Sequence, residues 1–201
     1  MSDTPLYSNL AAERLRMFVA LLTKWNAAIN LVSPSSLAQV WTRHVADSAQ
    51  VLTFAGAGPQ KWLDLGAGAG FPGVVVALIT ADQPDPVQMI LIESDQRKAA
   101  FLSTVSRETG VPMVIHAERI ENVTPQLADV VSARALAPLG KLCEFADRHL
   151  APGGTALFLK GGHYNTEIAE AREAWAFDLE THGSTTDPAG AILKLKDLRR
   201  V

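Results

Sequence analysis

A glycine-rich loop that follows a short apolar strand is the feature that most restricts the fold of this 201-residue chain. The segment 62–65 predicts a buried strand, and glycines follow it at positions 66, 68, 70 and 73. Glycine lets the backbone turn sharply and approach a ligand without a Cβ atom in the way. A tight turn alone needs fewer glycines. The loop therefore predicts a ligand site between a strand and a helix.

Short apolar strands alternate with helical segments along the rest of the chain. We predict further strands in 89–92, 112–116, 129–132, 155–159, 178–182 and 191–195, and helices in 74–80, 96–109, 139–150 and 164–175. Such alternation is typical of a mostly parallel sheet that is covered by helices on both faces. The predicted fold class is therefore α/β.

The first 55 residues have a helical pattern instead. Apolar residues recur at helical spacing from Leu10 to Trp25 with polar residues between them, and 33–36 reads as a break with capping residues. A second helical stretch is predicted over 37–54, and the glycine- and proline-containing segment 56–59 ends it. We therefore expect a helical N-terminal cap over 1–55 and an α/β domain over 56–201, packed as one compact unit.

Composition excludes several classes of protein. Eighteen Lys and Arg residues against 21 Asp and Glu give a net charge of −3, so overall charge does not indicate a nucleic-acid binder, although a local basic face remains compatible with it. The only cysteine, Cys143, excludes an intramolecular disulfide and a cysteine-based zinc cluster, and we expect it to be a small buried hydrophobe. No metal site is predicted.

The sequence gives no sign of a membrane segment. No stretch approaches the roughly 20 apolar residues that span a bilayer, and Met1–Asn9 carries no positive charge of the kind found in secretory signals. We therefore expect a cytoplasmic protein that makes no contact with membranes.

The spacing of the glycines bears on the ligand. A GxGxxG pattern occurs at 68–73 and would suggest a dinucleotide, but in register with the strand it would start at Gly66 and require glycine at Phe71. The Asp64 carboxylate would repel a pyrophosphate and attract an ammonium group. A ligand with ammonium, ribose and adenine but no phosphate fits better, and S-adenosylmethionine is such a ligand.

Glu93 supports this choice. It ends the second strand, 20 residues beyond Gly73, at the edge where α/β folds bind ligands, and its carboxylate could accept hydrogen bonds from both ribose hydroxyls. The alternative is an acidic residue that stabilises the start of the following helix. Coupled to the glycine loop, the ribose role is favoured.

At this point the chain resembles a known family, the bacterial small-subunit rRNA methyltransferase G, formerly named glucose-inhibited division protein B. The resemblance extends from about Leu22 to Lys160. It rests on a WNxxxNL motif, an RHxxDS motif, the glycine loop with its Pro-Gly ending, and three shorter segments, at 25–31, 43–48, 64–73, 118–121, 132–135 and 159–162. The glycine loop alone would indicate only some methyltransferase, whereas its combination with the two N-terminal motifs is specific.

The resemblance implies a Rossmann-like class I S-adenosylmethionine-dependent methyltransferase fold, with a seven-stranded, mostly parallel sheet and an N-terminal helical extension. It also implies transfer of a methyl group to N7 of one guanine in 16S rRNA. The cofactor would be bound by residues of the glycine loop and of the next three strand ends: Asp64, Gly66, Gly68, Phe71, Glu93, Ile120, Glu121 and Arg134. Glu93 would contact the ribose, although many relatives carry aspartate there, and Ile120 and Glu121 would bracket the adenine.

Methylation of N7 needs no general base, because this nitrogen has a free lone pair and no proton. We therefore name no catalytic residue and place Arg134 and Lys160 nearest the chemistry. Candidate RNA contacts are Arg43, His44 and Lys160, although Arg43 and His44 could equally make a contact within the fold or reach the edge of the cofactor. Trp25 is expected to pack in the core.

Three alternatives remain on the sequence alone. A small-molecule methyltransferase would share the glycine loop, a nicotinamide dehydrogenase is disfavoured by Phe71 and Asp64, and a regulatory module would bind the cofactor without turnover. The expected partner is 16S rRNA or a small-subunit particle, and the sequence does not decide between them. It does not determine the oligomeric state either, and we take a monomer as the working expectation.

Overall fold

The computed structural model describes residues 7–56, 58 and 60–201. Its strands are β1 (Lys61–Leu65), β2 (Gln88–Ile92), β3 (Val114–His116), β4 (Ala128–Arg134), β5 (Leu150–Lys160), β6 (Trp175–Gly183) and β7 (Ala191–Arg200). Its α-helices are α1 (Asn9–Asn26), α2 (Pro34–Leu37), α3 (Asp47–Ala49), α4 (Gly73–Thr80), α5 (Gln96–Thr109), α6 (Leu139–His149) and α7 (Tyr164–Ala171). Residues 1–6, which belong to the segment considered as a secretory signal, and residues 57 and 59 of the predicted break lie outside the described residues.

The seven strands form one sheet in the order β3-β2-β1-β4-β5-β7-β6. The strands in the order from β3 to β5 pair in parallel, and β7 runs in the opposite direction, so its pairs with β5 and β6 are antiparallel. The predicted α/β class is confirmed. The chain runs outward from β1 to β3 and then crosses to β4, so the direction of winding reverses between β1 and β4. Open α/β sheets bind ligands beyond the carboxyl ends of the strands at such a reversal.

Two apolar clusters cover the two faces of the sheet. One joins the N-terminal helix to α4 and α5 and includes Phe18, Leu22 and Phe101, and the other lies under α6 and α7. Trp25 packs against the first cluster with its ring 5.7 Å from that of Phe101, as expected. Cys143 is fully buried, as predicted, and burial raises the pKa of its thiol to about 12.

The second helical stretch departs most from the prediction. In place of one helix over 37–54, α2 ends at Leu37 and a π-helical segment spans Trp41–Ala46. The short helix α3 and a 3₁₀ turn over Gln50–Phe54 complete it. π-Helical turns are rare and occur often at functional sites, and an apolar periodicity does not distinguish them from α-helix.

The C-terminal half differs in the bounds of its elements. The turn predicted before 155 is a bulge inside β5, which begins at Leu150 and accommodates Gly153 at a φ of +76°. Helix α7 ends at Ala171, and Trp175 begins β6 instead of ending the helix. Within the described residues, no helix is both long and apolar enough to cross a bilayer.

Candidate active site

A cavity of about 640 Å³ opens at the carboxyl ends of β1, β2 and β4, where the winding reverses. This volume lies in the range of small-molecule and cofactor sites. Its lining brings together eight residues that were predicted from sequence: His44, Gly66, Gly68, Phe71, Glu93, Ile120, Glu121 and Arg134. Leu31, Val32, Ser33 and Ser36 also line it, so the N-terminal cap supplies part of its wall.

The glycine loop forms the floor of the cavity. Gly66 has a φ of +60° and Gly68 a φ of +54°, a backbone conformation that other residues rarely adopt. A Cβ atom on Gly66 would lie 2.5 Å from Cδ1 of Leu136. The backbone conformation therefore favours glycine here, and a larger residue would also displace the end of the Leu136 side chain.

Asp64 does not line the cavity. Its side chain is fully buried, with Oδ1 accepting from the Ser132 hydroxyl at 2.6 Å and Oδ2 accepting from the backbone N–H of Gly73 at 3.0 Å. Burial raises the pKa of this carboxyl to about 7, although both hydrogen bonds oppose the shift. The prediction that this carboxylate meets a ligand's ammonium group is thus corrected: it joins β1 to β4 and to the start of α4. Sequence reasoning missed this because Ser132 becomes its neighbour only in the folded sheet.

Glu93 lies at the edge of the cavity and ties the glycine loop to the second strand. Its Oε2 accepts from the backbone N–H of Gly68 at 2.9 Å, and its Oε1 accepts from that of Asp95 at 2.8 Å. Each carboxylate oxygen can accept a second hydrogen bond. Glu93 therefore orders the loop and still presents acceptors to the cavity.

Helix α6 forms the far wall, which the sequence did not reveal. Lys141 and Phe145 lie one turn apart on this helix and both line the cavity, and the Lys141 ammonium is 3.9 Å from Oε1 of Glu121. Under them, Nε2 of the buried His149 lies 3.2 Å from the carbonyl oxygen of Ile120. Their spacing at 141, 145 and 149 was the available signal, since it places them on one helix face.

Arg134 is the most connected side chain of the site. Its Nη1 lies 3.3 Å from Oδ2 of Asp47, and its Nη2 donates to the Arg43 carbonyl oxygen at 3.0 Å and to Nδ1 of His44 at 2.6 Å. Burial lowers the pKa of Arg134, while Asp47 opposes that shift. Three residues of the RHxxDS motif, Arg43, His44 and Asp47, therefore hold the arginine at the end of β4. The ion pair between Arg134 and Asp47 is therefore mostly buried and is not a surface pair.

His44, on the π-helical segment, is buried against the glycine loop. Its ring stacks on Phe71 with centroids 4.7 Å apart, and its Nε2 makes a short hydrogen bond with the Ser36 hydroxyl. Burial and the nearby Arg134 lower its pKa to about 4. His44 is therefore neutral at neutral pH. The ring makes contacts within the fold, since only 8% of the residue is exposed, and it also lines the cavity.

A second cleft, of about 300 Å³, adjoins the cavity on the other side of Arg134. Lys160 lies here and not in the cavity, and its ammonium is 2.6 Å from Oε2 of Glu167 and donates to the Ala137 carbonyl at 3.0 Å. Its charge is thus already paired, by a residue of the helix α7 that follows β5. Arg43 is exposed and lines the same cleft.

Comparison with known proteins identifies the family. Residues 11–191 match the family described as rRNA small subunit methyltransferase G. The chain belongs to the rRNA small subunit methyltransferase G family. A family member from Cereibacter sphaeroides is 52% identical over 194 residues, which are 96% of this chain and 94% of the relative. One from Rhodospirillum centenum is 48% identical over 92% of this chain and 84% of the relative. The resemblance found in the sequence is confirmed.

Comparison with solved structures shows the same kind of fold that the family predicts. A putative class I S-adenosylmethionine-dependent methyltransferase from Listeria monocytogenes covers 91% of this chain, with 67% of its own chain aligned, 15% identity and a TM-score of 0.59. TYW2 of M. jannaschii, solved in complex with AdoMet, covers 76% of this chain, with 74% of its own aligned, 14% identity and a TM-score of 0.57. This rRNA small subunit methyltransferase G family member therefore has the Rossmann-like fold of class I methyltransferases, as predicted.

The groups of the cavity can bind and orient a ligand. Its buried histidine is neutral, and its arginine is engaged by a carboxylate and two further acceptors. Among the residues that the structure describes, no group of three His, Cys, Asp or Glu side chains could hold a metal ion.

Proposed function

We propose that this chain transfers the methyl group of S-adenosylmethionine to N7 of a guanine in the 16S rRNA of the small ribosomal subunit. The observation that carries the proposal is the cavity at the reversal of the sheet, where the glycine loop, Glu93 and the Ile120–Glu121 segment meet in a member of an rRNA methyltransferase family.

The residues of the cavity fit S-adenosylmethionine. Gly66 and Gly68 line the cavity with backbone that no side chain covers, and Glu93 presents carboxylate oxygens for the ribose hydroxyls. Ile120 and Phe145 offer apolar surface for the adenine, and Glu121 offers an acceptor beside them. When bound, the cofactor supplies a methyl group that its sulfonium charge already activates.

Alignment is the task left to the protein. Transfer would form a bond between guanine N7 and the methyl carbon and break the bond from that carbon to sulfur, so the residues of the site would have no proton to remove. Holding the reacting atoms at near-attack distance supplies about 7 to 11 kcal/mol. Arg134 lies at the edge that faces the second cleft, and its pairing with Asp47 limits the repulsion that an unpaired guanidinium would exert on the cationic product.

RNA is the substrate class that the family and the surface favour over a small molecule. The family is described by its action on small-subunit rRNA, and the exposed Arg43 lies beside the second cleft. The target guanine must leave its stack to reach the cavity. We propose that the enzyme acts as a monomer in the cytoplasm, on 16S rRNA or a small-subunit particle.

Transfer of a labelled methyl group tests the proposal. We expect purified protein to bind S-adenosylmethionine, and not a nicotinamide dinucleotide, in calorimetric titrations. We expect it to transfer label from S-adenosylmethionine to 16S rRNA or small subunits that lack the modification, and not to rRNA from the large subunit. Binding without any transfer to either substrate would favour a regulatory module.

A further inference from the structure

We propose that the second cleft is the subsite for the RNA nucleotide, and that Asp47 positions its outer wall by holding the tip of the β6–β7 hairpin. The inference rests on the proposed function and deepens it. It assigns a role to a carboxylate of the RHxxDS motif and to a hairpin loop that is remote in sequence from every residue of the cofactor cavity.

The position of the cleft suits the second substrate. Arg134 and Ala135 line both the cavity and the cleft, so the two spaces meet at the end of β4. Ala135 has a φ of +51°, a strained conformation for a residue other than glycine, and such strain persists where the surrounding structure imposes it. A group in the cleft would approach the cavity at Arg134, away from the Ile120 end.

The outer wall of the cleft is the hairpin tip, and one carboxylate secures it. Oδ1 of Asp47 accepts from the Thr186 hydroxyl at 2.7 Å and from the Ser184 hydroxyl at 3.1 Å. Gln50 extends the same anchor, because its Nε2 donates to Asp47 at 2.8 Å and its Oε1 accepts from the backbone N–H of Thr185 at 3.0 Å. The other oxygen of Asp47 pairs with Arg134. Asp47 thus fixes the distance between the hairpin tip and the end of β4.

The charges of the cleft fit a nucleotide. Arg134 is paired with Asp47 and Lys160 with Glu167, and among the described residues the exposed Arg43 guanidinium makes no ion pair. Arg43 is therefore available to a phosphate. Asp187 also lines the cleft, and one of its carboxylate oxygens accepts from the backbone N–H of Ala189. A carboxylate is a suitable acceptor for the N–H groups of a guanine edge.

If the hairpin only shapes the substrate cleft, changing it should weaken the binding of RNA and leave the binding of S-adenosylmethionine unchanged. The test compares the wild type with Ser184→Ala/Thr186→Val, which removes both hydroxyl anchors but keeps the Asp47–Arg134 pair. The matched control is Ser103→Ala/Thr104→Val on α5, where the two hydroxyls donate only to carbonyl oxygens of their own helix. All three proteins are assayed for KM of the RNA substrate, kcat, and Kd of S-adenosylmethionine.

We expect the hairpin variant to raise KM for the RNA about three- to tenfold, as the loss of one or two hydrogen bonds predicts, with Kd for S-adenosylmethionine unchanged. When Thr186→Ser replaces Thr186→Val in this variant, a hydroxyl is kept at position 186, and we expect most of the affinity for RNA to be restored. Asp47→Asn keeps an acceptor for the hairpin but removes the partner charge of Arg134, so we expect it to lower kcat more than it raises KM.

The inference is overturned if the hairpin variant and the α5 control have the same KM for RNA, or if the hairpin variant loses S-adenosylmethionine binding in parallel. Should the double variant not fold, Thr186→Val alone is judged by the same two criteria. If the wild type methylates RNA and the hairpin variant has the same KM for RNA as the control, only the assignment of the cleft is wrong. A wild type that methylates no RNA removes the proposed function itself.

Discussion

Nη2 of Arg134 lies 2.6 Å from Nδ1 of His44 and joins the end of β4 to the π-helical segment of the cap. A guanidinium can only donate, so Nδ1 must accept and the proton of the neutral ring must lie on Nε2, which faces the Ser36 hydroxyl. The helical segment before β1 and the sheet are therefore connected through a neutral histidine at the edge of the cavity.

The neutral His44 leads to a prediction about pH. Because its pKa is lowered to about 4, His44 does not change charge between about pH 6 and 8.5. N7 carries no proton to be removed, so we expect the single-turnover rate, with enzyme and cofactor saturating, to be flat across this range. Arg134→Ala should lower that rate, on the order of a hundredfold for a misplacement of about 1 Å, without a new pH dependence. A steep rise with pH that His44→Gln or Glu121→Gln abolishes would indicate a general base.

The glycine loop provides a second prediction. Gly66→Val places a branched Cβ 2.5 Å from Leu136 and strains a backbone with a φ of +60°. We expect calorimetry to show that S-adenosylmethionine binding is lost while the circular dichroism spectrum is retained. Gly153→Val is the control, because this glycine also has a positive φ but a Cβ there meets nothing within 4 Å. Equal cofactor affinity in the Gly66 variant and the wild type would refute the role of the loop.

The raised pKa of Asp64 leads to a prediction about how the stability of the fold depends on pH. This pKa is about 7 in the folded chain and 3.8 for an unperturbed aspartate, so between these pH values the folded state binds more protons than the unfolded state. The contribution of Asp64 to stability is therefore greatest below about pH 4 and is lost as pH rises through 7. Urea unfolding of the wild type and Asp64→Asn should show a difference in free energy that moves against the wild type with rising pH. A difference that moves in its favour contradicts the shift.

Arg43 and Lys160 should differ in their effect on RNA binding. The exposed Arg43 is free to contact a phosphate, so we expect Arg43→Ala to reduce the slope of log affinity against log salt by about 0.7 to 0.9. Lys160 is held by Glu167 and Ala137, so Lys160→Ala should leave the slope near that of the wild type and lower the free energy of unfolding by about 1 to 3 kcal/mol. The reverse pattern would make Lys160 the phosphate contact.

Local pattern predicted much of the fold and part of the site. Short stretches of sequence are enough to predict the glycine loop, Glu93 and the alternation of strands and helices. This is because a strand end and the loop after it take their geometry from residues that are close in sequence. The partners of Asp64 and Lys160 could not be predicted in this way. Ser132 meets Asp64 only when β1 and β4 pair in the sheet, and Asp64 is then buried away from the ligand site that the sequence predicted for it. Glu167 is near Lys160 in sequence, but its contact depends on how α7 folds back against the end of β5.

Mapping of 7-methylguanine in 16S rRNA tests the central claim most directly. Small-subunit rRNA is isolated from a strain in which the coding sequence is deleted, and from the same strain expressing the wild type or Gly66→Val. Digestion and mass spectrometry then locate the methyl group. We expect one N7-methylated guanine that is absent from the deletion strain, restored by the wild type and not by Gly66→Val. The same modified guanine at full occupancy in the deletion strain would contradict the proposed function.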